Sequence, residues 1–522
     1  MPHRPGLLSA TDEVGAVDTA PDCVRLAPDD GAIADYLHDE SKLASHGAGS
    51  LAVPQTLSEL RQVLRWHAQA HHVVAVSGAR TGVAGGAVPD PGAHVVSLDA
   101  LRGVIAVHAD REPPTAEVLA GTSLRELNEY LAVHHPGLVF PVDPTESSAS
   151  IGGMVATNAG GARTFRFGAM RDWVTRLTVE LPSGRTLDVS RDDHAGPDGA
   201  LTLVDGEDSR VLTIPPIPKP ATKNAVGYGF TAERAPLDLW IGAEGTLGVV
   251  SEVELRLQRQ HEERLGYLQF FADAETAFAF VTRLRADRSL KTTAIEFLDA
   301  RSHALAKESA KPAVDRVLQF ASESSCSVFA EIGYETEEEL AKIADRLSVY
   351  VGEVQGDAEM ALAGANEGEL KDIRAFRHAV PERINAIIAQ RREHHPGLHK
   401  IATDMAVPDE SLGWVFDRYQ EVLGAAGLDF AVFGHVGNNH FHVNILPRDE
   451  EELARAKACY AVLAREIVAR GGCVAAEHGI GRIKKSFVSV QYPPEVIASM
   501  RAVKRWVDPE WRLNPGILID PS

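Results

Sequence analysis

Apolar residues in the first half of the chain come in short β-branched runs separated by glycine. Val73–Val76, His94–Leu98, Ala116–Leu119, Leu177–Leu181 and Leu239–Ile241 read as strands. Pro182-Ser183-Gly184-Arg185 follows one of them with the residues of a hairpin turn. Thr56 is a good helix cap, and Glu59 three residues on completes a capping pattern. Leu60, Val63, Leu64 and Trp66 then form an apolar stripe at helical spacing. Leu124–Val133 predicts a second helix, capped by Thr122 or Ser123.

From about residue 261 the pattern lengthens. Gly266–Phe271 and Ser327–Ile332 read as strands, and Ala274–Ala286, Glu337–Val351, Glu367–Ala389 and Glu450–Arg470 as amphipathic helices. Phe430–Leu446 reads as a hairpin with Gly437-Asn438-Asn439 at its tip, where asparagine tolerates positive φ. The stretch from Asp508 to Gly516 is turn-rich. The fold class expected is α+β. A domain over 41–260 precedes a second α+β domain with an antiparallel sheet over 261–465, and a terminal segment covers 466–522. Residues 1–40 form an N-terminal extension whose first 25 residues look loose.

At 522 residues the chain is long enough for two or three cores. Its 44% hydrophobic and 24% charged content is ordinary for globular domains. A net charge of −21, with no long basic run, argues against nucleic acid as partner. No run of about 18 apolar residues predicts a membrane span, and no secretory signal opens the chain. Cys23, Cys326, Cys459 and Cys473 form no Cys-x-x-Cys pair, which argues against an iron–sulfur cluster or zinc ribbon and for free thiols in the cytoplasm.

Two regions carry chemistry. In the second half, His435 and His442 stand seven residues apart and Glu477 follows, beside His478. Two neutral imidazoles and a carboxylate suit a divalent metal with open positions, and His478 is placed to act as a general base. On a strand His440, His442 and Asn444 share one face, so His440 is a further candidate for metal or substrate. In the first half three glycine-rich segments stand out, Ser77–Gly86, Ile151–Gly161 (with Pro141–Thr145 before it) and Ile241–Val250. None matches the Gly-x-Gly-x-x-Gly or phosphate-loop pattern. Each alone could be ordinary turns, while three in one domain favour a cofactor cradle.

Taken together, Ile151–Gly161, Ile241–Val250, Gly434–Asn444, Glu477–Gly481 and Leu513–Gly516 make the chain resemble the FAD-linked dehydrogenases and oxidases of the vanillyl-alcohol oxidase superfamily. The likeness is to the branch acting on D-2-hydroxy acids, and it covers about residues 40 to 520. It implies an FAD domain of that type over 41–260, a substrate-binding cap over 261–465, and a terminal segment that completes the active site and packs on the FAD domain. It carries FAD contacts over to Gly78, Ala79, Arg80, Thr81 and Gly82; to Pro141, Asp143, Gly152, Gly153, Thr157, Asn158 and Gly161; and to Glu244, Gly245, Val250 and Asn514. The first segment has no histidine or cysteine, so FAD is expected to be non-covalent. His435, His442 and Glu477 match metal ligands, with zinc expected first and manganese or iron also fitting. His478 matches the base, Arg377 the clamp on the substrate carboxylate, Asn444 a residue near the substrate and Lys400 a second cation. The family hairpin usually reads His-x-Gly-Asp-Gly-Asn-x-His. Here Asn438-Asn439-His440 replaces its middle, and no threonine lies between Arg377 and Ala389.

The resemblance implies oxidation of a D-2-hydroxy acid to the 2-keto acid, with the Cα hydride passing to flavin. D-lactate is the first expectation, ahead of D-2-hydroxyglutarate and glycolate. With no haem or iron–sulfur motif, electrons leave to a separate acceptor: a quinone, a cytochrome, an electron-transfer flavoprotein or an iron–sulfur subunit. That acceptor is a route to peripheral membrane association. A homodimer is compatible with all of this. Two other classes stay open on the residues, a metal-dependent hydrolase and a non-catalytic flavin electron-transfer subunit.

Overall fold

The computed structural model describes residues 5–11, 15, 17–26, 30–43, 45–196, 199–231, 235–260, 262–321 and 325–522. The first half holds two main sheets. In one, Val24–Leu26, Ser50–Ala52, His94–Ser97 and Val74–Ser77 lie side by side, the last three parallel. The helix Leu57–Gln69 covers it with Leu60, Val63 and Leu64, and begins where the Thr56 hydroxyl accepts the Glu59 N–H. The second sheet is antiparallel, in the order Thr186–Ser190, Val174–Glu180, Val249–Arg256, Thr115–Leu119, Val104–His108. Ser123, not Thr122, caps the helix Leu124–His134 in a full capping box; the Thr122 hydroxyl bonds Gly103 instead.

The cap is built on an antiparallel sheet ordered Ala361–Gly364, Glu263–Phe271, Cys326–Tyr334, Lys291–Leu298, Phe430–His435, His440–Ile445, Ile401–Ala402. The helices Ala274–Ala286, Glu337–Glu353 and Glu367–Arg392 run within three residues of the predicted bounds. Asp273, Thr336 and Asn366 cap them by accepting the third helical N–H. Among the described residues no helix is long and apolar enough to cross a membrane, and the four cysteines are unpaired.

Two expectations are corrected. Leu239–Ile241 is no strand: Pro236–Leu239 is a short 3-10 turn, and Gly242 at φ 84° and Gly245 at φ 71° reverse a buried loop. Nor is the start of the chain uniformly loose. Leu7–Ala10 pairs in parallel with Ala200–Asp205, beside Asp208–Thr213. Residues 1–4, 12–14, 16 and 27–29 of the extension lie outside the described residues.

The terminal segment returns to the first half. Asn514, at φ 43°, accepts the Val76 N–H (2.8 Å) and donates to the Glu244 carbonyl (2.8 Å), so it ties the strand feeding Ser77–Gly86 to the third glycine segment.

Candidate active site

The hairpin presents its histidines together because of register. His435 pairs with His440, and Phe433 with His442, so all three imidazoles stand on one face. Gly434 makes the tight approach possible: at φ 144°, a Cβ there would lie 2.7 Å from the His440 carbonyl oxygen. At the tip Asn439 adopts φ 52°, and its amide is held between Arg285 (2.6 Å) and Asp409 (2.7 Å). That dual contact accounts for a side chain where the family pattern has glycine.

Glu477 faces this cluster from the terminal segment. Its Oε1 lies 3.4 Å from His435 Nε2, and its Oε2 3.5 Å from His442 Nε2. These are close to the edges of a tetrahedron with metal–nitrogen bonds of about 2.0–2.1 Å, roughly 3.3 Å. The donor atoms of His435, His440, His442 and Glu477 all lie within 4.8 Å of one another. His435 Nδ1 is 3.1 Å from Glu296 Oε1, an acceptor that favours the ring proton at Nδ1 and leaves Nε2 turned toward Glu477. The residues present therefore fit a divalent ion, with Glu296 as the carboxylate that orients a ligand imidazole. Lys223, 3% exposed, touches Glu477 Oε1 and donates to the Gly161 carbonyl (2.8 Å). Burial alone would raise the Glu477 pKa; Lys223 and His435 reverse this and hold it well below the ordinary carboxylate range.

Asp404, fully buried, organises the other side. Its carboxylate accepts the backbone N–H of Glu477 (3.0 Å) and of His478 (2.9 Å), and pairs with Lys484 (2.5 Å). His478 stacks on His442 with ring centroids 5.3 Å apart, and its Nδ1 faces Asp404 at 3.5 Å. Burial pushes its pKa down to about 4 against the pull of Asp404, so the ring is neutral near pH 7. Arg377 touches Glu296 through Nη2 and lies 4.5 Å over the Phe329 ring. Glu296 thus links the arginine to His435. Burial lowers the guanidinium to about 10, still charged at neutral pH. Arg377 also lines a cavity of about 250 Å³ with Arg163, Arg374, Asp143, Glu331 and Phe329. Asn444 is buried on the strand of His442, and Lys400 lies half-buried, its ammonium lowered by burial and by Lys42.

The glycine segments meet around this site. Ala79 N–H bonds the Ser150 hydroxyl (3.3 Å), bringing the Gly78–Gly82 loop against the helix Ile151–Thr157 that carries Gly152, Gly153 and Thr157. Arg80 pairs with Asp99 (2.7 Å), and Thr81 is half-buried beside it. Asp143, pushed up to about 6 by burial against Arg163, touches the Gly161 loop so closely that a Cβ on Gly161 would meet its carbonyl oxygen at 1.9 Å. Pro141 is buried two residues before it. Asn158 and Glu244, also carried over, make protein contacts. Asn158 accepts from Arg171 N–H (2.9 Å) and donates to the Asn224 carbonyl (3.1 Å). The Glu244 carboxylate accepts Ile480 N–H (2.8 Å) and Gly481 N–H (2.7 Å) and is pushed up to about 7 by burial. Gly245 follows it, and Val250 packs half-buried on the apolar cluster of Leu60 and Val63.

Glu296, Lys223 and Asp404 escape a sequence reading. Glu296 lies on the strand Lys291–Leu298, which is not among the runs the apolar pattern predicts, and nothing local marks its carboxylate.

Sheets, cap and converging glycine loops define an FAD-binding fold of the vanillyl-alcohol oxidase type. A solved p-cresol methylhydroxylase shares it at TM-score 0.69 and 15% identity, over 96% of this chain and 94% of that one. Residues 49–190 match the FAD binding domain family and residues 260–518 the C-terminal domain of FAD linked oxidases. The chain is 32% identical to a D-2-hydroxyglutarate dehydrogenase of Xanthomonas citri pv. viticola, over 95% of this chain and 94% of the relative. It is 28% identical to a D-lactate dehydrogenase of Anaerostipes hadrus, over 92% of each. The chain belongs to the FAD-linked oxidases and is an FAD-linked oxidoreductase.

Proposed function

We propose that the protein oxidises a D-2-hydroxy acid to the 2-keto acid and hands the electrons to a separate acceptor. The observation that carries this is the Glu477 carboxylate at tetrahedral-edge distance from His435 and His442, in a chain of the FAD-linked oxidases. Bound there, FAD supplies the two-electron acceptor and a divalent ion the polarisation of the substrate hydroxyl. His435, His442 and Glu477 hold the ion. Arg377 pairs with the substrate carboxylate, its charge positioned by Glu296. His478 takes the hydroxyl proton at Nε2, because its Nδ1 is turned toward Asp404 (3.5 Å). Asn444 and Lys400 border the substrate. The Gly78–Gly82 loop, the segment from Pro141 to Gly161, Glu244, Gly245, Val250 and Asn514 surround non-covalent FAD.

Turnover of D- and L-2-hydroxy acids with a dye acceptor, before and after chelation, tests the reading. A D-acid oxidised only with metal present supports it; indifference to every hydroxy acid overturns it.

Asp404→Asn is expected to lower metal affinity and turnover by about 10- to 100-fold, because an amide can no longer accept both backbone N–H groups and pair with Lys484. Metal titration and steady-state kinetics check it. Wild-type values in both would remove Asp404 from the site's support.

A further inference from the structure

His440 stands where the family hairpin carries asparagine, and its surroundings repeat those of His435. The ring is fully buried. Its Nε2 lies 3.0 Å from Asp404 Oδ1, close but off the axis of an aligned hydrogen bond. A carboxylate at that distance requires the proton on Nε2, which leaves Nδ1 with its lone pair. Nδ1 has no hydrogen-bond partner among the described residues and faces Glu477 Oε1 at 4.0 Å. The ring centroid is 4.3 Å from that of His442 and 5.6 Å from that of His435. A buried imidazole nitrogen without a partner, aimed at a carboxylate that two other imidazoles already share, is the arrangement of a ligand. Carboxylates behind His435 (Glu296) and behind His440 (Asp404) are the outer contacts that orient ligand imidazoles.

We infer that His440 is a fourth protein ligand, so that the ion sits in a site of three imidazoles and one carboxylate. This rests on the metal-dependent reading above. It has a consequence for the ion. Four protein ligands complete a tetrahedral zinc sphere, which a substrate hydroxyl could join only by expanding it to five. The site therefore suits an ion that readily takes five or six ligands, of the manganese(II), iron(II) or cobalt(II) kind.

The test uses the flavoprotein freed of metal by chelation and titrated with cobalt(II) chloride. Visible bands report coordination number, being intense at four ligands and weak at six. In the wild type one ion binds with weak bands, and the multiple scattering in its X-ray absorption spectrum counts three imidazoles. His440→Asn lowers cobalt affinity by at least about tenfold and reduces the count to two, with the flavin spectrum unchanged. Two imidazoles in the wild type, or an unaltered affinity and spectrum in His440→Asn, overturns the inference while leaving hydroxy-acid oxidation standing. The wild-type count decides even where the variant folds poorly. A wild type that binds no cobalt removes both this inference and the metal reading. Flavin reduction by a hydroxy acid in that protein would show that oxidation itself survives.

Discussion

Glu477→Gln is expected to lower turnover by about a thousandfold while flavin stays bound. The amide keeps the size of the side chain and removes its charge. In the native site that charge faces Lys223 and the Nε2 atoms of His435 and His442. Polarisation of a substrate oxygen by a bound ion is worth several kcal/mol, and about 4 kcal/mol corresponds to roughly a thousandfold in rate. The Gly161 loop reaches Glu477 through Lys223, so the flavin spectrum serves as the control, while the melting midpoint falls because the buried Lys223 loses its charged partner. A variant that turns over at the wild-type rate would show that Glu477 neither holds an ion nor supports the chemistry.

Lys504→Met is expected to cost about 3–5 kcal/mol of stability, the range for removing one partner of a buried ion pair. Lys504 is 1% exposed on the helix Pro494–Val507. Its ammonium pairs with Asp508 (2.6 Å) and donates to the carbonyls of Thr246 (2.6 Å) and Leu513 (2.9 Å), which uses all three of its N–H groups. Asp508 in turn accepts the Leu513 N–H at 2.8 Å. Methionine fills the volume but leaves a buried carboxylate and two carbonyls without their donor. The loss reaches the cofactor side, because Leu513 and Asn514 lie along Val74–Ser77 and Thr246 belongs to the third glycine segment. Thermal unfolding with excess FAD measures it. Lys504→Met with Asp508→Leu should recover part of the loss, since the stranded charge goes too. A single variant that melts with the wild type would show that the pair contributes nothing to docking the terminal segment.

Much of the fold was legible because it is coded locally. The caps Thr56 and Ser123 start helices where the pattern places them, and strand alternation puts His440, His442 and Asn444 on one face of the hairpin. The register that sets His435 opposite His440 follows from the short Gly437-Asn438-Asn439 connection. Apolar composition misled at Leu239–Ile241. That run is buried like a strand but belongs to a loop turned by glycines, and burial alone does not distinguish the two. The support of the site was not legible, because it is made at long range. Glu296 meets His435 across 139 positions, Lys223 meets Glu477 across 254, and Asp404 meets Lys484 across 80. The sheet order and the return of the terminal segment bring these residues together, and a single carboxylate on a strand or a lysine on a loop carries no local mark of it.

We propose that a metal-supported site delivers electrons from a D-2-hydroxy acid to the protein's flavin. It is tested most directly by mixing the purified protein anaerobically with D- and L-2-hydroxy acids, D-lactate and D-2-hydroxyglutarate among them, and following the visible flavin band before and after chelation. A D-acid should bleach the band, its L-enantiomer should not, and bleaching should be lost with the metal. Equal bleaching by both enantiomers, or bleaching that chelation leaves untouched, would contradict it.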